Sequence, residues 1–216
     1  MLQDYIVTFQ TEIDRKYNTI ICKLAIKLTH PKREQETSLG NLVADAFGEV
    51  AECDVMLVGS GSIRRNELGP LVILKDLHSC FPYDDILTRY TITGAQLQKV
   101  FAYIMRPENR NSEGECYRVN ANVRAVYSDV MHKLVSLQIS GKKVINDKMY
   151  RICLQGYHFN NALANLNLTK EELLQAGNSK VITTSAKEVL EEYLRNHQNI
   201  KRKVEGRLTY HTTSSV

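Results

Sequence analysis

Between Thr37 and Arg65 the apolar pattern changes period within one short stretch, and this constrains the fold more than any other feature of the chain. Leu39, Leu42, Val43, Ala46, Phe47 and Val50 recur at helical spacing, and Thr37 or Ser38 stands ready to cap the first turn. Five residues after Val50 the pattern becomes an unbroken run, Val55-Met56-Leu57-Val58, too short for a helix and suited to a buried strand. That strand runs directly into Gly59-Ser60-Gly61-Ser62-Ile63-Arg64. A helix, a buried strand and a glycine-rich loop in that order call for a helix layer packed on a sheet, with the loop at the sheet's end.

The remaining segments extend this pattern. Leu2, Ile6, Phe9, Ile13 and Tyr17 mark one face of an N-terminal amphipathic helix, and residues 19–28 alternate as a strand with Ile20, Cys22, Leu24, Ile26 and Leu28 on one side. Residues 29–36, with Pro31, predict a loop. A strand is expected at 86–92, then a helix opened by a capping box of Thr93 and Gln96 and ended before Pro107. Residues 107–116 predict a mobile polar loop. Strands are expected at 122–127, 134–140 and 143–154, with Ser140-Gly141 as a hairpin turn, and a last strand at 204–210. Two further capping boxes, Thr169 with Glu172 and Ser185 with Glu188, predict late helices. The fold class is therefore α+β, a mixed sheet flanked by helices, and no linker or repeat divides it.

The 216 residues are enough for a substantial core, with 43% hydrophobic and 24% charged residues. A net charge of +4 without a basic stripe gives nucleic-acid binding little electrostatic support, while leaving room for a small anion. No segment approaches the roughly 20 apolar residues of a membrane span. Five cysteines stand singly and are expected to be reduced structural thiols. With no signal peptide in the first residues, the reading leans towards the cytoplasm; a leader removed beforehand would make the protein periplasmic or extracellular. The six histidines lack metal-ligand spacing, and no nucleophile elbow or P-loop occurs. No catalytic residue is assigned.

Three loops carry chemistry. Gly59–Arg65 lets backbone N–H groups approach a ligand and supplies Arg64 and Arg65, whose guanidinium forks suit phosphate or carboxylate oxygens. Phe81-Pro82-Tyr83-Asp84-Asp85 offers Tyr83 as a flat stacking face. Gly156-Tyr157-His158-Phe159-Asn160-Asn161 offers a second aromatic after a buried strand. Taken singly, the first is as readily an ordinary turn as an anion site, the second reads more readily as packing residues, and the third as a polar loop leaving the sheet.

In order, these segments resemble a known family. Glu36-Thr37-Ser38-Leu39-Gly40-Asn41-Leu42-Val43-Ala44-Asp45-Ala46 is similar to the E-T-x-L-G-N-L-x-A-D-A helix of the 5′-nucleotidase C-terminal domain. Residues 54–64 resemble its aDvalxNsGgIR segment, Phe81-Pro82-Tyr83 its L-P-F turn, Leu87–Leu97 its l-t-G-x-x-L segment and Val204–Arg207 its closing strand. The resemblance, to enzymes of the bacterial UDP-sugar hydrolase and ecto-5′-nucleotidase type, covers the chain from about residue 19. It implies a connector helix over 1–18 and a substrate-binding domain over 19–216. It further implies a calcineurin-like metallophosphatase domain as partner, absent from this chain, holding two divalent metal ions. This chain by itself needs no cofactor and is expected to be catalytically silent.

The resemblance also implies site roles. Arg64 takes the phosphate or ribose side of a nucleotide or nucleoside, and Tyr83 and Tyr157 stack on its base. Gly61, Arg33 and Asn160 complete the expected substrate contacts. Several positions depart from the family pattern: Gly59 stands where an asparagine is expected, Gln35 replaces an arginine that Arg33 could replace in turn, and a base-reading aspartate falls on Leu163. The G-x-F-L-Q-V-x-G segment reads Gly114–Ala121. These changes leave the fold expectation intact and bear on nucleotide recognition. Two other readings stay open: an interaction module that keeps the fold without the ligand, and a parent enzyme acting on cyclic nucleotides or nucleotide sugars.

Overall fold

The structure, a computed structural model, describes residues 2–111, 114–177 and 179–212. In chain order the elements are α1 (Leu2–Tyr17), β1 (Ile20–Lys23), β2 (Leu28–Thr29), α2 (Ser38–Ala51), β3 (Val55–Gly59), β4 (Glu67–Leu68), β5 (Leu71–Ile73), α3 (Leu74–Cys80), β6 (Leu87–Thr93) and α4 (Gly94–Ile104). They continue with β7 (Tyr117–Val119), β8 (Val123–Ser128), β9 (Lys133–Ile139), β10 (Lys142–Lys143), β11 (Met149–Gln155), α5 (Gly156–Asn160), α6 (Ala162–Leu166), α7 (Lys170–Leu174), β12 (Lys180–Thr183), α8 (Ala186–Asn196) and β13 (Leu208–His211). The α+β class holds, and its strands divide between a five-stranded sheet, a four-stranded sheet and two small ribbons.

The five-stranded sheet, in order β12-β6-β11-β3-β7, is the central layer. Strand β3 is buried along its whole length, which explains its unbroken apolar run. Its residues alternate between two cores. Met56 and Val58, with Cys153 of β11, face the side covered by α2, α3 and α8. Val55 and Leu57, with Ile152 and Leu154, face α4 and the four-stranded sheet β10-β9-β8-β13. The period-2 geometry of a strand thus builds one core on each face.

Local signals hold where a polar side chain meets a backbone donor. The Thr37 hydroxyl accepts from the Gly40 N–H at 3.1 Å and caps α2, so Thr37 rather than Ser38 is the cap. Both halves of the Thr93–Gln96 and Thr169–Glu172 boxes form. At Ser185 only the forward half is present. Ser140 and Gly141, at φ of 50° and 74°, make the expected hairpin turn.

Three expectations need correction. The strand expected over 19–28 breaks into β1 and β2, with a register irregularity between Ile20 and Cys22. Ile20 and Ile26 are consequently exposed while Ile21 is buried. The strand expected over 143–154 also divides: Lys142–Lys143 closes a hairpin with β9, and only Met149–Gln155 enters the central sheet. The described part of 107–116 is anchored, since the Cys116 thiol bonds the Asn109 carbonyl at 2.7 Å and Arg110 pairs with Asp129 at 2.5 Å; residues 112–113 lie outside the described residues. All five cysteines are free and buried. No helix among the described residues is long and apolar enough to cross a membrane.

Candidate functional site

Strands β3 and β11 lie side by side and parallel, pairing Ile152 with Val55 and Leu154 with Leu57. Both therefore release their following loops at the same end of the sheet. Strand β6 runs antiparallel to β11, pairing Leu87 with Gln155, so the segment that precedes β6 arrives at that end too. Strand β7 runs antiparallel to β3, pairing Tyr117 with Gly59, and delivers the residues before it. Residues 59–64, 83–85, 115 and 155–160 converge by topology alone. A crevice at the carboxyl ends of parallel strands is the position from which such sheets bind ligands.

The crevice is a cleft of about 570 Å³ lined by Arg33, Gly61, Ser62, Arg64, Tyr83, Asp84, Asp85, Glu115, Gln155, Tyr157, His158 and Asn160. All six residues singled out from the sequence are among them. Tyr83 and Tyr157 are 48% and 56% exposed, too open for packing residues. The Arg64 guanidinium lies 5.9 Å from the centre of the Tyr83 ring, and its one hydrogen bond among the described residues, to the Gly61 carbonyl, is a long 3.5 Å. Arg65 points elsewhere and pairs with Asp76 at 2.5 Å. Leu163 is 63% exposed and lies outside the cleft, so no acidic group is presented from that position.

The floor is fixed by buried polar groups. The Ser60 hydroxyl donates to the Arg33 carbonyl at 2.9 Å, and the buried Arg118 guanidinium donates to the same carbonyl. The Ser60 oxygen also lies 3.3 Å from Nε2 of His30, whose Nδ1 is 2.7 Å from the Thr37 hydroxyl. Burial, and after it the Arg118 charge, lower the His30 pKa to about 4, so the ring is neutral at neutral pH. Together these bonds hold the loop that carries Arg33 over the glycine loop. A Cβ on Gly61 would stand 2.7 Å from an Arg33 guanidinium nitrogen, so the missing side chain is what allows the approach.

The walls are set by equally local devices. The Asp85 carboxylate accepts the Tyr157 N–H at 3.0 Å and the Ile86 N–H at 2.8 Å, which fixes the turn that presents Tyr157. Gln155 accepts the Gly59 N–H at 3.0 Å and bonds the Ser62 hydroxyl, tying the end of β11 to the glycine loop. His158 fills the space beside Gly59: a Cβ there would stand 2.5 Å from Nε2 of the ring. Its Nδ1 lies 3.0 Å from the Tyr117 hydroxyl, and burial lowers its pKa to about 4. Sequence reasoning missed His158, Gln155, Asp85 and Glu115 because their place depends on strand pairing. A polar Gln155 closing the run Ile152-Cys153-Leu154 was the one available signal.

The cleft can hold a planar group against tyrosine and an anion on Arg64 and Arg33. Among the described residues no group of three His, Cys, Asp or Glu side chains could hold a metal ion.

Comparison with known proteins gives a consistent picture. The family profile described as "5′-nucleotidase, C-terminal domain" matches residues 20–167. A 5′-nucleotidase of Vibrio vulnificus (strain CMCP6) is 27% identical over 126 residues, which is 58% of this chain and 22% of that protein. Among solved structures, a 5′-nucleotidase precursor from Thermus thermophilus superimposes with a TM-score of 0.75 at 16% identity, over 98% of this chain and 43% of that one. The NAD nucleotidase of Haemophilus influenzae gives 0.72 at 14% identity, over 97% and 41%. A sulfate thiohydrolase from Thermus thermophilus gives 0.67 at 16%, over 96% and 38%, so one fold serves differently named activities. This chain accordingly spans less than half the length of these relatives, and it belongs to the 5′-nucleotidase C-terminal domain family.

Proposed function

We propose that this chain is the nucleotide-holding domain of a two-domain phosphoesterase. The observation that carries the reading is the opening of two exposed tyrosines and a guanidinium without a carboxylate partner, among the described residues, onto one cleft. A base stacked on an aromatic ring gains about 1–3 kcal/mol. Arg64, and Arg33 across Gly61, meet the phosphate through charge-assisted hydrogen bonds. Gly61 and Asn160 line the space between. Attack on phosphorus belongs to the partner domain, whose two divalent metals would supply the activated water; no residue of this chain is given that task.

Saturation-transfer NMR with adenosine and AMP tests the reading. Both ligands should show transfer to the wild-type chain and lose it in Tyr83→Ala and Tyr157→Ala. Normal saturation in both variants would eliminate the tyrosine clamp. One observation favours a second reading, an interaction module that has lost the ligand: the exposed Leu163 leaves that loop without an acidic group. Absence of transfer from adenosine, AMP, cyclic AMP and a nucleotide sugar would select it. Transfer from one of the latter two alone would reassign the parent's substrate.

A further inference from the structure

The cleft contains a carboxylate that neither the base nor the phosphate needs. Glu115 arrives just before β7, opposite the end of β3, and lines the same cavity as Arg64, Tyr83 and Tyr157. Its Oε1 lies 3.1 Å from the point a Cβ on Gly59 would occupy, beside the His158 ring. The bare backbone at residue 59 is therefore what admits both side chains to the floor.

From this placement we infer that Glu115 reads neutral hydrogen-bond donors of the bound ligand, the vicinal hydroxyls of a ribose. The inference rests on the nucleotide reading above. An ionised carboxylate only accepts, with about four lone-pair sites on its two oxygens. The Gly61 backbone and the Arg33 charge lie near Glu115, and the carboxylate lines the cavity with its acceptor capacity open to a ligand. Burial raises the Glu115 pKa and the Arg33 charge opposes that rise, so the carboxylate is short of solvent and gains from hydrogen-bond donors brought by a ligand. A phosphate oxygen at this point would meet like charge, which sends the anion towards Arg64. The other two cleft carboxylates are less suited. Asp85 already accepts two backbone N–H groups, and Asp84 is an exposed group on the outer edge. A ligand with its base on the tyrosines and its phosphate on Arg64 brings its sugar between them.

The test compares adenosine with 2′,3′-dideoxyadenosine on the 216-residue chain by ligand-observed NMR or calorimetry. Wild type should prefer adenosine by about ten- to a hundredfold, the range of hydrogen bonds to a charged group. Glu115→Gln, which keeps the shape and one acceptor, should narrow the preference to a few-fold, and Glu115→Ala should abolish it. A Glu115 that served only the fold would weaken both ligands equally and preserve their ratio; that result overturns the inference. So does a wild type that binds both nucleosides equally, and in that case the nucleotide reading survives. Binding of neither nucleoside nor AMP overturns both.

Discussion

Two groups of charged residues sit within this domain, and they are built in opposite ways. Around Arg207, which is 1% exposed, the Asp45 carboxylate accepts at 2.7 and 3.0 Å, Glu205 at 3.1 Å and the Val119 carbonyl at 2.8 Å. Glu36 receives the Glu205 and Arg207 backbone N–H groups, and Arg202 adds a bond to Asp45 at 2.8 Å. Every charge there finds its partner inside the fold. In the cleft, Arg64 and Glu115 have few protein partners and face a cavity. Partner bookkeeping separates the structural cluster from the site, where a tally of charged residues would not.

The largest effect should come from the closed cluster. Arg207→Met takes the guanidinium hydrogen bonds from Asp45 and Glu205 and should cost about 3–5 kcal/mol in urea unfolding, without altering ligand affinity in the folded fraction. Acid should come next. His30 and His158 are held neutral in the fold with pKa near 4, against a reference value of 6.5. The unfolded rings take protons first, so this stability is full above pH 6.5 and is lost as pH falls towards 4. The loss is on the order of 3 kcal/mol per histidine, and unfolding curves of His30→Asn and His158→Asn should depend less on pH over that window.

Substitutions in the open cluster should show the reverse balance. Tyr83→Ala, Tyr157→Ala and Arg64→Ala should each weaken AMP binding by about 1–3 kcal/mol while moving stability by no more than about 0.5 kcal/mol. Two glycines sharpen the contrast further. Gly59→Ala drives a methyl into the packed His158 ring and should destabilise by about 1–3 kcal/mol. Gly61→Ala meets only the mobile end of Arg33, so its effect on unfolding should fall below about 0.5 kcal/mol and appear instead as weaker anion binding.

What the sequence made legible were features with a fixed local period or a fixed local partner. Helix α2, strand β3, the hairpin turn at Ser140-Gly141 and the caps at Thr37, Thr93 and Thr169 are all of this kind. The six candidate ligand residues line one cleft because each lies in a loop or, for Tyr157 and Asn160, in the short helix α5 adjoining a strand end, while Arg33 lies in a loop pinned from below by Ser60 and Arg118. Alternation misled at Ile20, where an irregular pairing with β5 turns the side chain outward. The short helix α3 left no clear stripe in its seven residues. Glu115 and His158 were illegible for a different reason. Each gains its position from a strand pairing or from a missing Cβ on a distant residue, and neither is written into its own neighbourhood.

The proposed nucleotide site is one cleft, bounded by 59–64, 83–85 and 155–160. Amide NMR of the isotope-labelled chain during an AMP titration tests it most directly. Saturable shifts should gather in those three segments and around Arg33 and Glu115, and should leave the Arg207 cluster still. Shifts centred on any other surface, or none at millimolar AMP (a Kd of 1 mM is worth about 4.1 kcal/mol), would contradict the account.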